Sequence, residues 1–213
     1  MLTIGHFSDT HGRNIIPVEL SVVPDAWFHS GDFFPNRSRG NVEIEVDFQR
    51  EWFIGFYEEF VKRLHGKPLF YTPGNHDYVE LCDMMPGYPV TRVTTAGVDF
   101  MGERIAGFRE IPYIAGEWNG EVRTKEFAGL VYDLVDSNPT IIMNHAPCAG
   151  ILDMDAENLS RGITAMSSAI TYGQFPDLKA YLCGHVHDQG GKRMNVMGVD
   201  FYNSAETLQI ITV

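Results

Sequence analysis

The sequence predicts an α/β fold in which two β-sheets pack face to face with helices on their outer sides. Short apolar runs alternate with amphipathic helical segments through the first half of the chain, while the second half supplies hairpin-like pairs. Five of those runs end in a short motif of Asp, Asn, Gly and His, and side chains just past the ends of parallel strands gather at one edge of a sheet.

Leu2 to Phe7 is the first strand; a glycine-containing turn and Pro17 follow, and Pro24 precedes the second, Ala26 to Phe28. The clearest helix comes next. Phe48, Trp52, Phe56, Phe60 and Leu64 recur every four residues beside a row of Phe53, Tyr57 and Val61, which predicts a helix packed on a sheet and closed near Gly66. Pro68 to Tyr71 is the third strand. Residues 82–97, rich in Met, Pro and Gly, read as a loop. Val98–Met101 and Arg104–Phe108 form a predicted hairpin about Gly102-Glu103, followed by an aromatic loop from Ile111 to Gly120. Val122 to Val135 carries Phe127, Leu130, Val131 and Leu134 on one helical face. Ile141 to Met143 is a buried strand, Thr164 to Ile170 a short helix, and Ala180 to Cys183 another strand. Val199–Asn203 and Thr207–Val213 are strand-like.

With 213 residues and no repeat, low-complexity segment or linker, the economical reading is one domain over residues 1–213. No apolar run reaches the roughly 18 residues of a membrane span, so no membrane partner is expected. The N-terminus lacks a basic region followed by an apolar stretch, and Cys82, Cys148 and Cys183 are odd in number and scattered, so each reads as a packing residue. A reducing cytoplasm is the expected setting. The net charge is −12, and the densest basic clusters are only Arg37-Ser38-Arg39 and Lys192-Arg193. That balance disfavours long nucleic acid, whose binding needs a basic surface, and favours a small phosphate ester. The sequence carries no signal for oligomeric state.

The motifs are Asp9-Thr10-His11, Gly31-Asp32, Gly74-Asn75-His76-Asp77, Asn144-His145 and Gly184-His185-Val186-His187. Carboxylates mixed with imidazoles and an amide oxygen suit divalent ions such as Mn²⁺, Fe²⁺ or Zn²⁺. Taken singly, most are weak. Asp-x-His is a common cap and turn, Gly-Asp a common turn, and Gly-Asn-His-Asp after Pro73 reads equally as a polar turn. His185 and His187 share a face if the strand continues through them. His6, His29 and His65 take the plainer reading of packing or surface residues.

The ordered set resembles the calcineurin-like metallophosphoesterase superfamily, whose motifs run Asp-x-His, Gly-Asp, Gly-Asn-His-Asp/Glu, a later His, and Gly-His-x-His. All occur here in order from residue 9 to residue 187. The resemblance implies a four-layer α/β/β/α sandwich. It also implies two divalent ions, Mn²⁺ foremost, with Fe, Zn²⁺ or Ni²⁺ as the other choices. Asp9, His11, Asp32 and His187 would surround one ion; Asp32 would bridge to a second held by Asn75, His145 and His185. His76 would be the catalytic histidine, and Asp77 would hold its tautomer. One departure matters. In the protein serine/threonine phosphatases Gly-Asp leads into Asp-Arg-Gly, whereas here Arg37 is offset by one position. This argues against that branch and against Arg37 as a phosphate clamp.

The expected activity is hydrolysis of a small phosphodiester, a nucleotide or cyclic nucleotide included, by in-line attack of a water bridging the two ions. A phosphomonoesterase is the alternative; a DNA exonuclease or a scaffold without metals ranks lower. The Tyr113–Trp118 loop is a candidate surface for stacking a base, and Met84, Met85 and Tyr88 a candidate pocket wall.

Overall fold

The computed structural model describes residues 1–38 and 40–213; Arg39, part of the Arg37-Ser38-Arg39 cluster, lies outside the described residues. In chain order, β1 (Thr3–Phe7), β2 (Ala26–His29), α1 (Val42–Arg63), β3 (Leu69–Tyr71), α2 (Leu81–Met84) and β4 (Val90–Arg92) build the first sheet with its covering helix. Then come β5 (Val98–Phe100), β6 (Glu103–Ala106), β7 (Ile111–Pro112), β8 (Glu121–Val122), α3 (Phe127–Ser137), β9 (Ile141–Met143) and α4 (Thr164–Thr171). The chain closes with β10 (Ala180–Cys183), β11 (Lys192–Val196), β12 (Val199–Asn203) and β13 (Leu208–Thr212). One main sheet has the order β13-β1-β2-β3-β4 and the second β11-β12-β10-β9-β6-β5, while β7 and β8 pair separately as a two-stranded parallel sheet.

Alternation along the strands explains the layers. In β1 and β2, Ile4, Ala26 and Phe28 face Ile105, Ile141, Met143 and Leu182 of the second sheet, forming the core between the sheets. The opposite faces of the first sheet present Phe7, Trp27, Leu69 and Tyr71 to Phe53, Phe60 and Leu64 on and just after α1. The outer face of the second sheet meets α3 through Phe127, Val131 and Leu134, and α4 through Met166 and Ile170. Helix, sheet, sheet, helix is the predicted arrangement.

Several elements differ from expectation. Within the expected loop 82–97 lie most of α2 and all of β4. β4 extends the parallel ladder by only three residues, too few for a period to show. β11 also goes unseen in the sequence because its residues are exposed along an edge and carry no apolar alternation. Met85 is core, and Met84 and Tyr88 pack partly buried beside it. Cys148 and Cys183 are buried, whereas Cys82 is half-buried and its thiol contacts Tyr71 Oη at 3.2 Å. Among the described residues, no helix is long and apolar enough to cross a membrane.

Helix α1 buries polar residues as well as its aromatic stripe. Asn41 caps it by accepting from Ile44 N at 3.3 Å. Glu45 accepts from the N–H groups of Arg37 and Ser38, which ties down the turn after β2. Gln49 donates to the His76 carbonyl at 2.7 Å and accepts from Tyr78 N at 2.9 Å, which anchors the turn after β3.

Candidate metal centre

β1, β2 and β3 run parallel in one sheet, and β9 and β10 run parallel in the other. The motifs that follow them meet at one edge of the sandwich. Turning side chains inward there requires unusual backbone: Asp9, His11, Asp32 and His185 have φ of 53°, 44°, 58° and 66°. Non-glycine residues in the left-handed region are strained, and such strain collects at functional sites. Two motif glycines allow the approach. A Cβ on Gly184 would overlap Asp9 Oδ2 and Ser8 Oγ, and one on Gly74 would overlap Asp32 Oδ1 and the Asp32 nitrogen.

Asp9 and Asp32 are buried carboxylates. Asp9 accepts from His185 N, at 3.1 Å to Oδ1 and 2.9 Å to Oδ2, and its Oδ1 lies 3.2 Å from His187 Nε2. Asp32 Oδ1 accepts from His76 N at 2.7 Å. Its Oδ2 is left facing the imidazoles, 3.2 Å from His145 Nε2 and 4.0 Å from His11 Nε2. Asn75 Oδ1 lies 3.1 Å from the same His145 Nε2. The His145 and His185 rings meet edge to face with centroids 5.0 Å apart.

These residues fit divalent ions on the chemistry of their donors. Ligand atoms of Asp9, His11 and His187 all lie within 4.8 Å of one another, as do those of Asp9, Asp32 and His145. His145 Nδ1 donates to the Ser30 carbonyl at 2.7 Å, which turns Nε2 toward Asp32 Oδ2 and Asn75 Oδ1. That outer bond is the usual way a ligating imidazole is held. Burial pushes the pKa of His185 down to about 4, with His145 adding to the effect, and burial lowers His11, so both favour the neutral, ligating form. Burial disfavours charge on Asp32, but the His145 imidazole overrides it and holds the carboxyl well below its ordinary value. His145 shows the reciprocal effect: burial opposes its charge, yet Asp32 pushes it up to about 9.

His76 stands at the rim of this cluster, with Nε2 3.9 Å from Asp32 Oδ2. Asp77 does not hold its ring. The Asp77 carboxylate accepts instead from backbone N–H groups, those of Asp32 at 2.9 Å, Gly74 at 2.8 Å and Phe34 at 3.0 Å. It thus binds the turns after β2 and β3 together, and three aligned N–H donors outcompete a ring that points away. Burial and the Asp32 charge push the Asp77 pKa up to about 6. The partner of the His76 ring is Asn36, whose Oδ1 lies 2.5 Å from Nδ1.

Trp118 lies against the His76 ring with centroids 4.1 Å apart. Tyr113 parts company with it, half-exposed beneath the Arg123 guanidinium. Arg37 is exposed, and its guanidinium lies over the Phe48 ring. Asn203 also escapes sequence reading. It is fully buried and donates to the carbonyls of Gly184 and Val186, fixing the last motif from β12. His6 and His29 are buried and His65 is exposed, as expected of packing and surface residues.

Residues 2–189 match the family model described as calcineurin-like phosphoesterase. The chain belongs to the calcineurin-like phosphoesterase family. Members of this family use divalent metals, and they hydrolyse phosphoric esters. The fold is shared with the structure of a candidate 5'-nucleotidase from Staphylococcus aureus in complex with alpha-ketoglutarate. That match has a TM-score of 0.51 at 13% identity and covers 94% of this chain and 48% of the other. A 5'-nucleotidase precursor from Thermus thermophilus aligns with a TM-score of 0.40 at 17% identity, covering 87% of this chain and 42% of that chain. The chain therefore spans about half the length of these solved structures. No curated protein matches it in sequence.

Proposed function

We propose that this protein hydrolyses a small phosphodiester, a nucleotide or cyclic nucleotide foremost, using two divalent ions with Mn²⁺ the first choice. The observation that carries the reading is the convergence of Asp9, His11, Asp32, Asn75, His145, His185 and His187 at one sheet edge with His76 Nε2 facing them. When bound, the ions supply Lewis acidity, neutralising phosphoryl charge and making water acidic enough to attack near neutral pH.

The remaining work falls to the chain's own residues. Asp32 keeps Oδ1 on the His76 backbone and leaves Oδ2 between His145 and His11, where its negative charge would offset the repulsion of cations held by these residues. Because Nδ1 of His76 is occupied by Asn36, Nε2 is the atom left to face the phosphoryl group, and in the imidazolium form it would donate to a phosphoryl oxygen or give its proton to the departing one. A cleft of about 370 Å³ adjoins His185 and His187, lined also by Ile114, Asp155, Arg161 and Asp188, and accommodates the rest of a small substrate.

Diester preference draws support from Arg37, whose guanidinium rests over the Phe48 ring. A phosphomonoesterase is the second reading, and Arg161 favours it. Its Nε is held by Asp155 Oδ2 at 2.7 Å, and its side chain lines the cleft beside the candidate ligands, where a terminal phosphate needs a cationic donor. Bis-p-nitrophenyl phosphate, p-nitrophenyl phosphate and single-stranded DNA, assayed with Mn²⁺ and without metal, separate these readings. The diester should give the highest kcat/KM. A monoester preference of about tenfold, equivalent to about 1.4 kcal/mol, moves the assignment to the monoesterase. Arg161→Ala should then raise KM for the monoester alone.

A further inference from the structure

The turn that carries His76 is braced by a loop that belongs to none of the motifs. Between β7 and β8 the chain folds around one carboxylate. Glu121 Oε2 accepts from the N–H groups of Ile114 at 2.8 Å, Ala115 at 3.0 Å and Gly116 at 2.7 Å, and its Oε1 accepts from Trp118 N at 3.0 Å. Successive backbone N–H groups turned to one point make an anion-binding nest, and here the chain fills the nest with its own side chain. Four bonds to a charged acceptor give the loop a defined shape although most of it is exposed.

The shaped loop is fastened to the Gly74–Asp77 turn. Asn119 N donates to the Asn75 carbonyl at 3.2 Å, and Asn119 Nδ2 donates to the Asp77 carbonyl at 2.9 Å. Arg109 reaches the carbonyls of Gly74 at 3.2 Å and Asp77 at 3.1 Å. With both ends of the turn fixed, Trp118 is delivered onto His76, its ring 4.1 Å away at an interplanar angle of 39°. The indole covers a face of the imidazole while Asn36 takes Nδ1 at the ring edge.

We propose that Glu121 and Trp118 are positioning residues for His76. Glu121 folds the loop, and Trp118 confines the imidazole so that Nε2 faces the ligand cluster. This rests on the assignment of His76 to catalysis. Neither residue touches a ligand or a reacting atom; both act through the orientation of one ring. A planar residue at position 118 is therefore required, and so is a carboxylate at 121, because an amide offers an acceptor oxygen on one side only.

The test uses the Mn²⁺-loaded protein with bis-p-nitrophenyl phosphate. Glu121→Ala and Trp118→Ala should lower kcat on the order of 10–100-fold, the range typical of outer partners, with KM and metal content unchanged. Glu121→Gln should fall between wild type and Glu121→Ala, and Trp118→Phe should recover most of the loss. In a His76→Ala background, Glu121→Ala should cost nothing further, because the group it acts through is gone. An equal loss in that background, a rise in KM with kcat intact, or loss of metal overturns the proposal. Acrylamide quenching of Trp118 fluorescence, obtained by subtracting the Trp118→Phe signal, should increase in Glu121→Ala; unchanged quenching also overturns it. If the wild-type chain turns over no phosphate ester, the phosphoesterase reading has failed, and quenching still decides whether Glu121 holds Trp118.

Discussion

His76 Nδ1 lies 2.5 Å from Asn36 Oδ1, and the amide nitrogen of the same Asn36 donates to the His76 carbonyl at 3.1 Å. A carbonyl only accepts, so this second bond settles which way the amide points. Oδ1 then faces the ring and requires the proton on Nδ1. One side chain thereby fixes both the orientation of His76 and its tautomer. Asn36→Ala removes both bonds without touching a metal ligand. Its kcat should fall by about 10–100-fold, with KM and metal content near wild type. Steady-state kinetics with parallel metal analysis checks this, and a variant that loses its ions would make Asn36 part of the metal centre.

His76→Ala tests the chemistry itself. The side chain reaches toward Asp32 Oδ2 at 3.9 Å, but neither group of mutually close ligand atoms includes it. Both ions should stay bound while kcat falls about 10²–10⁴-fold, the usual contribution of a general acid or base. Recovery of activity on adding excess Mn²⁺ would identify His76 as a ligand.

The residues legible in the sequence share a local cause. Asp9, Asp32, Asn75, His145 and His185 each stand within a few positions of a buried apolar run, so the strand itself announced the motif. The same holds for the sandwich, because the runs in β1, β2, β9 and β10 must be covered on both faces. The residues that orient His76 have no such signature. Asn36 occupies an irregular turn, Gln49 lies inside a helix whose periodic signal comes from its aromatic stripe and not its polar positions, and Trp118 arrives from a loop distant in sequence. Asp77 was legible as important but not in its role. Sequence adjacency suggested a bond to His76, whereas tertiary packing turned its carboxylate onto three backbone donors.

Asp32→Asn is expected to disable the centre. Burial makes its charge costly, and His145 at 3.2 Å is what sustains it. A neutral amide keeps the shape and a single acceptor oxygen but removes the charge placed between His145 and His11. Occupancy at both positions should drop, and activity should fall by more than the about 10–100-fold expected for an outer partner. Elemental analysis that finds two ions per chain with near-normal turnover would overturn the bridging role proposed for Asp32.

His6 governs a separate property, the dependence of stability on acid. It is fully buried, with Nε2 2.9 Å from Ser30 Oγ and Nδ1 2.7 Å from Ser204 Oγ. Burial, reinforced by neighbouring His29, pushes its pKa down to about 3, and burial does the same to His29. In the unfolded chain both return to an ordinary value near 6.5. Between those limits the unfolded chain binds protons that the folded chain refuses. The stability these two histidines contribute is therefore full above about pH 6.5 and is lost progressively as pH falls toward about 3. Urea midpoints measured in chelator, so that ion release does not contribute, should rise from about pH 8 to about pH 7, where His145 with its pKa pushed up to about 9 holds its proton only in the folded chain, and then decline toward about pH 5. His6→Asn keeps an amide near Ser204 but removes one titrating ring. It should start from a lower midpoint and decline less steeply than wild type. Equal slopes for the two proteins would show that His6 does not carry the acid response.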